Sequence, residues 1–356
     1  MKALVLAGGS GTRLRPFSHT MAKQLFPVAN RPVLRHVLDA VGQAGITEVG
    51  MIVGTRGDEI RSAIGDGSGQ GLDITFIPQA VPLGLAHCVM IARDFLGDES
   101  FLMYLGDNII REPLSGFVES FRDSGADAEI LLSQVPDPRQ YGVAEVDSHG
   151  QITALMEKPS EPRSDLAVVG LYLFNPSIHT AVRSIAPSGR GELEITDAIQ
   201  WLLDSGRTVR AHRLRGYWKD TGRVEDVLEC NQVFLEDLEP AVLGKVDDQS
   251  EIVGRVLVEE GAVVQASRLV GPLIIGAGST VTRSLVGPYT SIGADCRIED
   301  ASIDYSILMG RVTVDGVRNL HGSLIGRNSV ITLPSPAGET HRVVIGDHSR
   351  LQISQH

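Results

Sequence analysis

The sequence predicts two unlike architectures in one 356-residue chain: an α/β domain with a mostly parallel sheet over residues 1–240, then a parallel β-helix over 241–356. Three observations carry this. Short apolar runs alternate with amphipathic helical stretches from the first residues onward. The first apolar run ends in glycines. Beyond Pro240 the helical period stops, and aliphatic residues recur at every sixth position.

KALVLA (2–7) has the unbroken apolar character of a strand buried on both faces. PVLRHVLDAVGQA (32–44) reads as a helix opening with Pro32, where a missing N–H is tolerated. A strand at 49–53, a helix near 58–64, a strand at 73–77, a helix near 84–95 and a strand at 101–105 follow on short connections. That alternation places helices on both faces of a mostly parallel sheet. Ligands of such sheets sit beyond the carboxyl ends of the strands. The glycine loop after residue 7 and the GDN at 106–108 are therefore expected at one site. Strand signals between 127 and 174 include a hairpin turning at His149-Gly150, and helices are expected at about 176–184, 195–204 and 223–238.

In the tail, Leu257, Val263, Leu269, Ile275 and Val281 are six apart, and after a one-residue slip come Val286, Ile292 and Ile298. IGAGSTV (275–281), IGADCRI (292–298), IGRNSVI (325–331) and IGDHSRL (345–351) share a tighter form. An inward aliphatic followed by Gly at a six-residue period is the signature of a hexapeptide β-helix, with about three hexads per coil and about five coils. The Gly is read as permitting a tight turn. A β-sandwich would show period two instead.

Composition narrows the partners. A formal net charge of −12 suits neither nucleic acid nor an anionic membrane. An aromatic content of 5% provides little for stacking single-stranded bases. Cys88, Cys230 and Cys296 form no C-x-x-C spacing and read as reduced, buried thiols. The few apolar residues before Gly8 are too short for a signal segment or a membrane span, so a cytoplasmic protein is expected.

LVLAGGSGTRLRP (4–16) reads as a phosphate-binding loop of uncommon form; a plain strand-to-helix turn would explain its glycines but not Arg13, Arg15 and Lys23 behind them. A Walker loop needs Gly-Lys-Ser/Thr at its end, whereas Thr12 and Arg13 follow Gly11. In the frame starting at Gly9, Leu14 stands where a dinucleotide fingerprint needs its third glycine. What remains is a loop whose N–H groups wrap a polyphosphate while Arg13 grips it in bidentate fashion.

The longer stretch AGGSGTRLRPFSHTMAKQLFPVANRPVL resembles the N-terminal signature of the sugar-1-phosphate nucleotidyltransferases. The Lys23-Gln24 pair is similar to the branch that transfers thymidylyl groups to glucose 1-phosphate. PQAVPLGLAHC (78–88), LGDN (105–108), QYGVAEVD (140–147), EKP (157–159), VVGLYLF (168–174), GELEITD (191–197) and WKDTG (218–222) continue the match in order. The resemblance covers residues 1 to about 240, and the tail resembles that of the family's long form.

The resemblance implies a Rossmann-like nucleotidyltransferase domain and a left-handed β-helix. It implies attack by the oxygen of glucose 1-phosphate on the α-phosphorus of dTTP, with Mg²⁺, giving dTDP-glucose and pyrophosphate. Arg13 and Lys23 would neutralise the triphosphate. Gly8, Gly9, Gly11, Thr12 and Gln24 would hold the nucleotide, with Gln79 and Gly84 reading the imide edge of the base. Tyr141, Gly142, Glu157, Lys158 and Val168 would form the sugar-phosphate pocket, and Asp107 and Asp220 would bind the metal. Glu192 and Glu194 either reach that pocket or begin the following helix.

Ala22, where the family often has Ser, and the AVPLG loop are departures that bear on nucleotide choice. UTP or another hexose 1-phosphate stays open, because one methyl group is worth only about 1–3 kcal/mol. A nucleotide-sugar sensor is the non-catalytic alternative, and the retained charges argue against it. His321 would be the base of any separate acyl transfer by the tail. The β-helix is expected to mediate homo-oligomer assembly.

Overall fold

The apolar run that opens the chain becomes the centre of a nine-stranded sheet. The structure is a computed structural model that describes residues 1–9, 11–332 and 340–352. Ser10 of the glycine loop and the expected end of the second domain at 353–356 lie outside the described residues. Two units emerge, and neither is one continuous stretch of chain. The first joins Met1–Gly9 to Val33–Asp220; the second joins Ser10–Pro32 to Thr221–His356.

In the first unit the strands are β1 (Lys2–Ala7), β2 (Glu48–Val53), β3 (Asp73–Pro78), β4 (Phe101–Leu105), β5 (Asn108–Ile110) and β6 (Ala128–Gln134). They continue as β7 (Gly142–Val146), β8 (Ile152–Glu157), β9 (Leu166–Phe174), β10 (Val209–Arg213) and β11 (Trp218–Asp220). The sheet runs β8-β7-β9-β4-β1-β2-β3, with β6 bridging β9 and β10. The β3-β2-β1-β4 segment is wholly parallel. β9, buried along its whole length, turns the sheet antiparallel against β4, β6 and β7. The predicted hairpin is β7–β8. Leu4, Leu6, Ile52, Phe101, Met103 and Phe174 lie in one buried cluster with apolar residues of the covering helices.

Two helix expectations shift. α1 (Val33–Gln43) starts one residue late, because Pro32 pairs with Pro27 in a short ribbon. The stretch near 84–95 breaks at Ala92 into α2 (Leu85–Ile91) and α3 (Arg93–Leu96). The helix expected at about 195–204 is α4 (Ile195–Asp204).

The second unit contains α5 (Val224–Glu236) and three parallel sheets of seven, seven and five strands. Among the described residues these wind as a β-helix in which two of the three faces stack seven strands, against the expectation of about five coils. Stacked residues are mostly 17 apart, varying from 16 to 18 in the first coil, shortening to 16 again between Ser291 and Ile307 and lengthening to 20 in the last described coil. A 17-residue coil has sides of six, six and five, so the inward register slips every turn. For that reason Val258 and Val264, both fully buried, point inward in place of the expected Leu257 and Val263. The later aliphatics, from Leu269 to Ile298, are inward as predicted.

The glycines after the aliphatics do not make the turn. A Cβ at Gly293 would lie 2.9 Å from the next coil's backbone, and one at Gly326 2.3 Å. Coil-to-coil stacking excludes a side chain there. The left-handed backbone falls two residues later, at Gly278, Asp295 and Asn328. Buried serines complete the polar accounting: Ser267, Ser284 and Ser279 each accept an N–H from one coil on.

Among the described residues no helix is long and apolar enough to cross a membrane. All three cysteines are buried thiols.

Candidate active site

Three clusters of expected site residues gather in the first unit. At the carboxyl ends of β1 and β3, Gly8 faces Gln79: a Cβ on Gly8 would sit 3.4 Å from the Gln79 Oε1. Gln79 is 9% exposed. Its Nε2 lies 3.0 Å from the His87 Nδ1 and donates to the Cys88 Sγ at 3.3 Å. Anchoring the amide nitrogen on α2 leaves the carbonyl oxygen to accept from a ligand, as an imide N3–H requires. Burial pushes the Cys88 thiol up to about 12, so it is a packing group and not a nucleophile.

Gly84 has φ 101°, and a Cβ there would lie 2.4 Å from the Leu193 carbonyl oxygen. Leu193 also stitches the loop down: its N–H donates to the Leu83 carbonyl at 2.7 Å, and its own carbonyl accepts from the Ala86 N–H at 3.0 Å.

The two aspartates are carried on neighbouring strands of a ribbon. Asp107 follows β4 and is 7% exposed. Antiparallel β5 and β11 place Asp220 opposite Asn108, the neighbour of Asp107. Asn108 donates to the Asp107 Oδ1 at 3.2 Å and accepts from the Trp218 Nε1 at 2.7 Å. The pair offers hard, anionic oxygens, the donor chemistry a hard divalent cation takes. Among the described residues no cluster of three or more His, Cys, Asp or Glu is placed to hold a metal. Two protein carboxylates suit an ion that keeps waters and substrate phosphates as its other ligands.

The expected sugar-phosphate residues also converge. A Cβ on Gly142 would meet the Thr196 Cγ2 at 2.7 Å, the Glu157 Oε2 at 3.2 Å and the Val168 Cβ at 3.5 Å. Tyr141 packs edge-on against Trp218, ring centroids 5.3 Å apart. The Lys158 Nζ is 3.3 Å from the Glu157 Oε1. Lys158 itself is left-handed at φ 42°, its N–H held by the Tyr141 carbonyl at 3.0 Å. Strain of this kind persists where surroundings over-determine it, commonly at functional sites.

Sequence reasoning missed Arg190. Its guanidinium reaches Glu157 at 3.5 Å, Glu192 at 3.3 Å and the buried Glu194 at 2.9 Å. Glu192 and Glu194, for which two roles were left open, both contact the Arg190 that also contacts Glu157. Glu194 does occupy the position before α4, yet its side chain caps nothing and binds Arg190 and Ser188. An arginine between two glycines, directly before three alternating acidic and apolar residues, was the signal available in SGRGELE. Thr196 was missed as well; its hydroxyl donates to the Glu157 Oε2 at 3.2 Å.

Gly11, Thr12, Arg13, Lys23 and Gln24 lie in the second unit. Gly11, at φ 59°, closes the segment on itself: a Cβ there would be 3.2 Å from that of Ser18 and 3.3 Å from that of Lys23. Arg13 is exposed on a short 3₁₀ turn, Thr12–Leu14, while Gln24 is 1% exposed. Gly9 ends the first unit's N-terminal strand segment at φ 113°.

His321 sits on the β-helix, its Nδ1 2.7 Å from the Asp304 Oδ1 and its ring stacked on Tyr305. Both it and Asp304 line an open hollow of about 520 Å³ with Val270, Leu285 and Pro288.

The model of the nucleotidyl transferase family matches residues 2–237, and the chain belongs to that family. Within it, the chain is 56% identical over 354 residues to the glucose-1-phosphate thymidylyltransferase of Streptomyces griseus, covering 99% of this chain and 100% of that one. It is 54% identical to the glucose-1-phosphate thymidylyltransferase of Streptomyces antibioticus, covering 99% of both. A Bacillus anthracis crystal structure, assigned as a glucose-1-phosphate thymidylyltransferase and holding sucrose, superposes with a TM-score of 0.63 at 33% identity. That match covers 68% of this chain and 97% of the other.

Proposed function

We propose that the chain transfers a thymidylyl group from dTTP to glucose 1-phosphate, releasing pyrophosphate, and that residues 1–240 carry this chemistry while 241–356 form the β-helix domain. The observation that carries the reading is similarity above half identity, over nearly the full length, to two thymidylyltransferases of this specificity. The site geometry supports it.

In this reading the phosphate oxygen of the sugar attacks the α-phosphorus in line; the new O–P bond forms as the bond to pyrophosphate breaks. Two anions must approach each other, so cations at the meeting point lower the barrier most. Lys158 holds the acceptor phosphate, with Arg190 beside it across Glu157. Glu157, fixed by Thr196, accepts from sugar hydroxyls. Arg13 and Lys23 neutralise the triphosphate. Asp107 and Asp220 are the residues that would hold Mg²⁺, which when bound shares the triphosphate charge. The Gln79 Oε1 accepts the N3–H of the base, a donor that thymine and uracil carry and cytosine lacks. Assembly through the β-helix into a homo-oligomer and residence in the cytoplasm belong to the same reading.

The test is pyrophosphate release with Mg²⁺, crossing dTTP and UTP against glucose, galactose and N-acetylglucosamine 1-phosphates. The highest kcat/KM is expected for dTTP with glucose 1-phosphate. A different leading pair would overturn the substrate assignment, and no release from any pair would overturn the reading.

A further inference from the structure

The second unit contains an arrangement that the transfer reaction alone does not require. Residues 27–32 fold back as a ribbon, with Val28 paired to Arg31, and its two central residues are both left-handed: Ala29 at φ 49° and Asn30 at φ 60°. Two-residue hairpin turns of this kind normally use Asn-Gly or Asp-Gly. A Cβ in this region is strained, and such strain survives only where neighbours fix the backbone.

The neighbours here are α5 and the β-helix. Asn231 of α5 is fully buried. Its Oδ1 accepts from the Ala29 N–H at 2.9 Å and from the Ser291 hydroxyl at 2.7 Å, and its Nδ2 donates to the Tyr289 carbonyl at 3.1 Å. One side chain thus ties the ribbon tip to a β-helix rung. Asn30 adds a second tie, its Nδ2 donating to the Ile292 carbonyl at 2.7 Å. Arg327, two coils on, reaches the Met21 sulfur, and the Gly346 position lies against Pro16.

The tied segment is closely packed. Leu14, Phe17, Phe26 and Val28 are completely buried, Phe17 and Phe26 meet edge to face, and Gly11 packs against Ser18 and Lys23. Arg13 and Lys23 ride on this piece.

We infer that the β-helix unit is the platform that positions Arg13 and Lys23 for transfer, and that Asn231 is the positioning residue joining segment to platform. The inference rests on the catalytic role given to those two cations above. It assigns the tail a part in turnover that is separate from assembly. Misplacing a reacting group by about 1 Å costs up to about 100-fold in rate, so loosening the tie should appear in kcat.

The experiment compares full-length Asn231→Ala, Asn30→Ala, Arg13→Ala, Lys23→Ala and Val314→Ala by pyrophosphate release and thermal melting. Val314 is a buried β-helix core residue and controls for lost stability alone. Asn231→Ala should lower kcat about 10- to 100-fold and Asn30→Ala about three- to ten-fold. The KM for glucose 1-phosphate should stay within about two-fold in both, because its proposed pocket lies in the first unit. Val314→Ala should lower the melting temperature with kcat unchanged. If Asn231→Ala does not fold, Asn30→Ala, which removes one partly buried bond, decides the matter. Normal kcat in the asparagine variants, with Arg13→Ala and Lys23→Ala inactive, would overturn the platform and leave the catalytic roles standing. Near-normal activity in Arg13→Ala and Lys23→Ala would overturn both. A loss of kcat in Val314→Ala equal to that in Asn30→Ala would reduce the tie to general stability and overturn the inference.

Discussion

The Rossmann-like unit and the β-helix both depend on glycine, but for different reasons. At Gly84 and Gly142 the forbidden Cβ would strike atoms from distant parts of the chain, the Leu193 backbone and the Thr196 methyl. At Gly293 it would strike the same position one coil away. In the first unit each constraint is used once, and it brings unlike residues together at a site. In the β-helix a constraint repeats from coil to coil, at Gly276, Gly293 and Gly326, and it keeps like residues together in a stack. A singular constraint can build chemistry, whereas a repeated one mainly builds extent. The comparison can be broken by any singular residue whose loss only destabilises, or by a repeated one whose loss stops turnover.

The largest effect is expected at Asp107. Asp107→Asn keeps the size of the side chain and an oxygen to accept from Asn108, so melting should shift little. It removes one of two carboxylates proposed for the metal, and kcat should fall about 100- to 1,000-fold, the usual cost of one electrostatic stabiliser. Near-normal turnover in a folded Asp107→Asn enzyme would sink the metal assignment.

Arg190→Ala should act next most strongly. It strips the buried Glu194 of its guanidinium partner and takes a cation from beside Lys158. A charged hydrogen bond is worth about 1.5–3 kcal/mol, so the KM for glucose 1-phosphate should rise about 10- to 100-fold. The KM for dTTP should stay near its original value. An unchanged KM for the sugar phosphate would make Arg190 a structural clamp on the loop that carries Glu192 and Glu194.

What the sequence revealed follows the same division. Alternating runs gave the strands of the first unit nearly to the residue, with 101–105 appearing unchanged as β4. The six-residue period identified the β-helix, yet it misplaced Leu257 and Val263 by one position. A slip per coil can be located only from the stacking partner 17 residues away. Asp107, Glu157 and Asp220 were singled out through the resemblance of the LGDN, EKP and WKDTG motifs, and not by the local pattern alone, in which a charge at a strand end is common. Arg190 was not, since its role comes from the Glu157 and Glu194 carboxylates it bridges and from no local pattern. The distribution of Arg13 and Lys23 to the second unit was equally hidden. Chain order suggested one N-terminal domain, while the ties through Asn231 and Asn30 are to residues more than 200 positions away.

The smallest effect on activity is expected inside a repeated stack. Ser284 accepts the Ala301 N–H at 3.1 Å, donates to the Thr282 carbonyl at 2.7 Å and receives nothing from any proposed site residue. Ser284→Ala would leave the Ala301 N–H buried without its acceptor, a loss of about 1–3 kcal/mol. The two flanking rungs still pair through their backbones, Leu285 on Ser302 and Val286 on Ile303, so the coil should remain wound. Thermal melting should therefore fall by a few degrees while kcat and both KM values stay within about two-fold. A large fall in kcat at full folding would mean that the regular wall of the β-helix, and not only its tie at Asn231, takes part in turnover. The division between singular and repeated constraints would then fail at its simplest point.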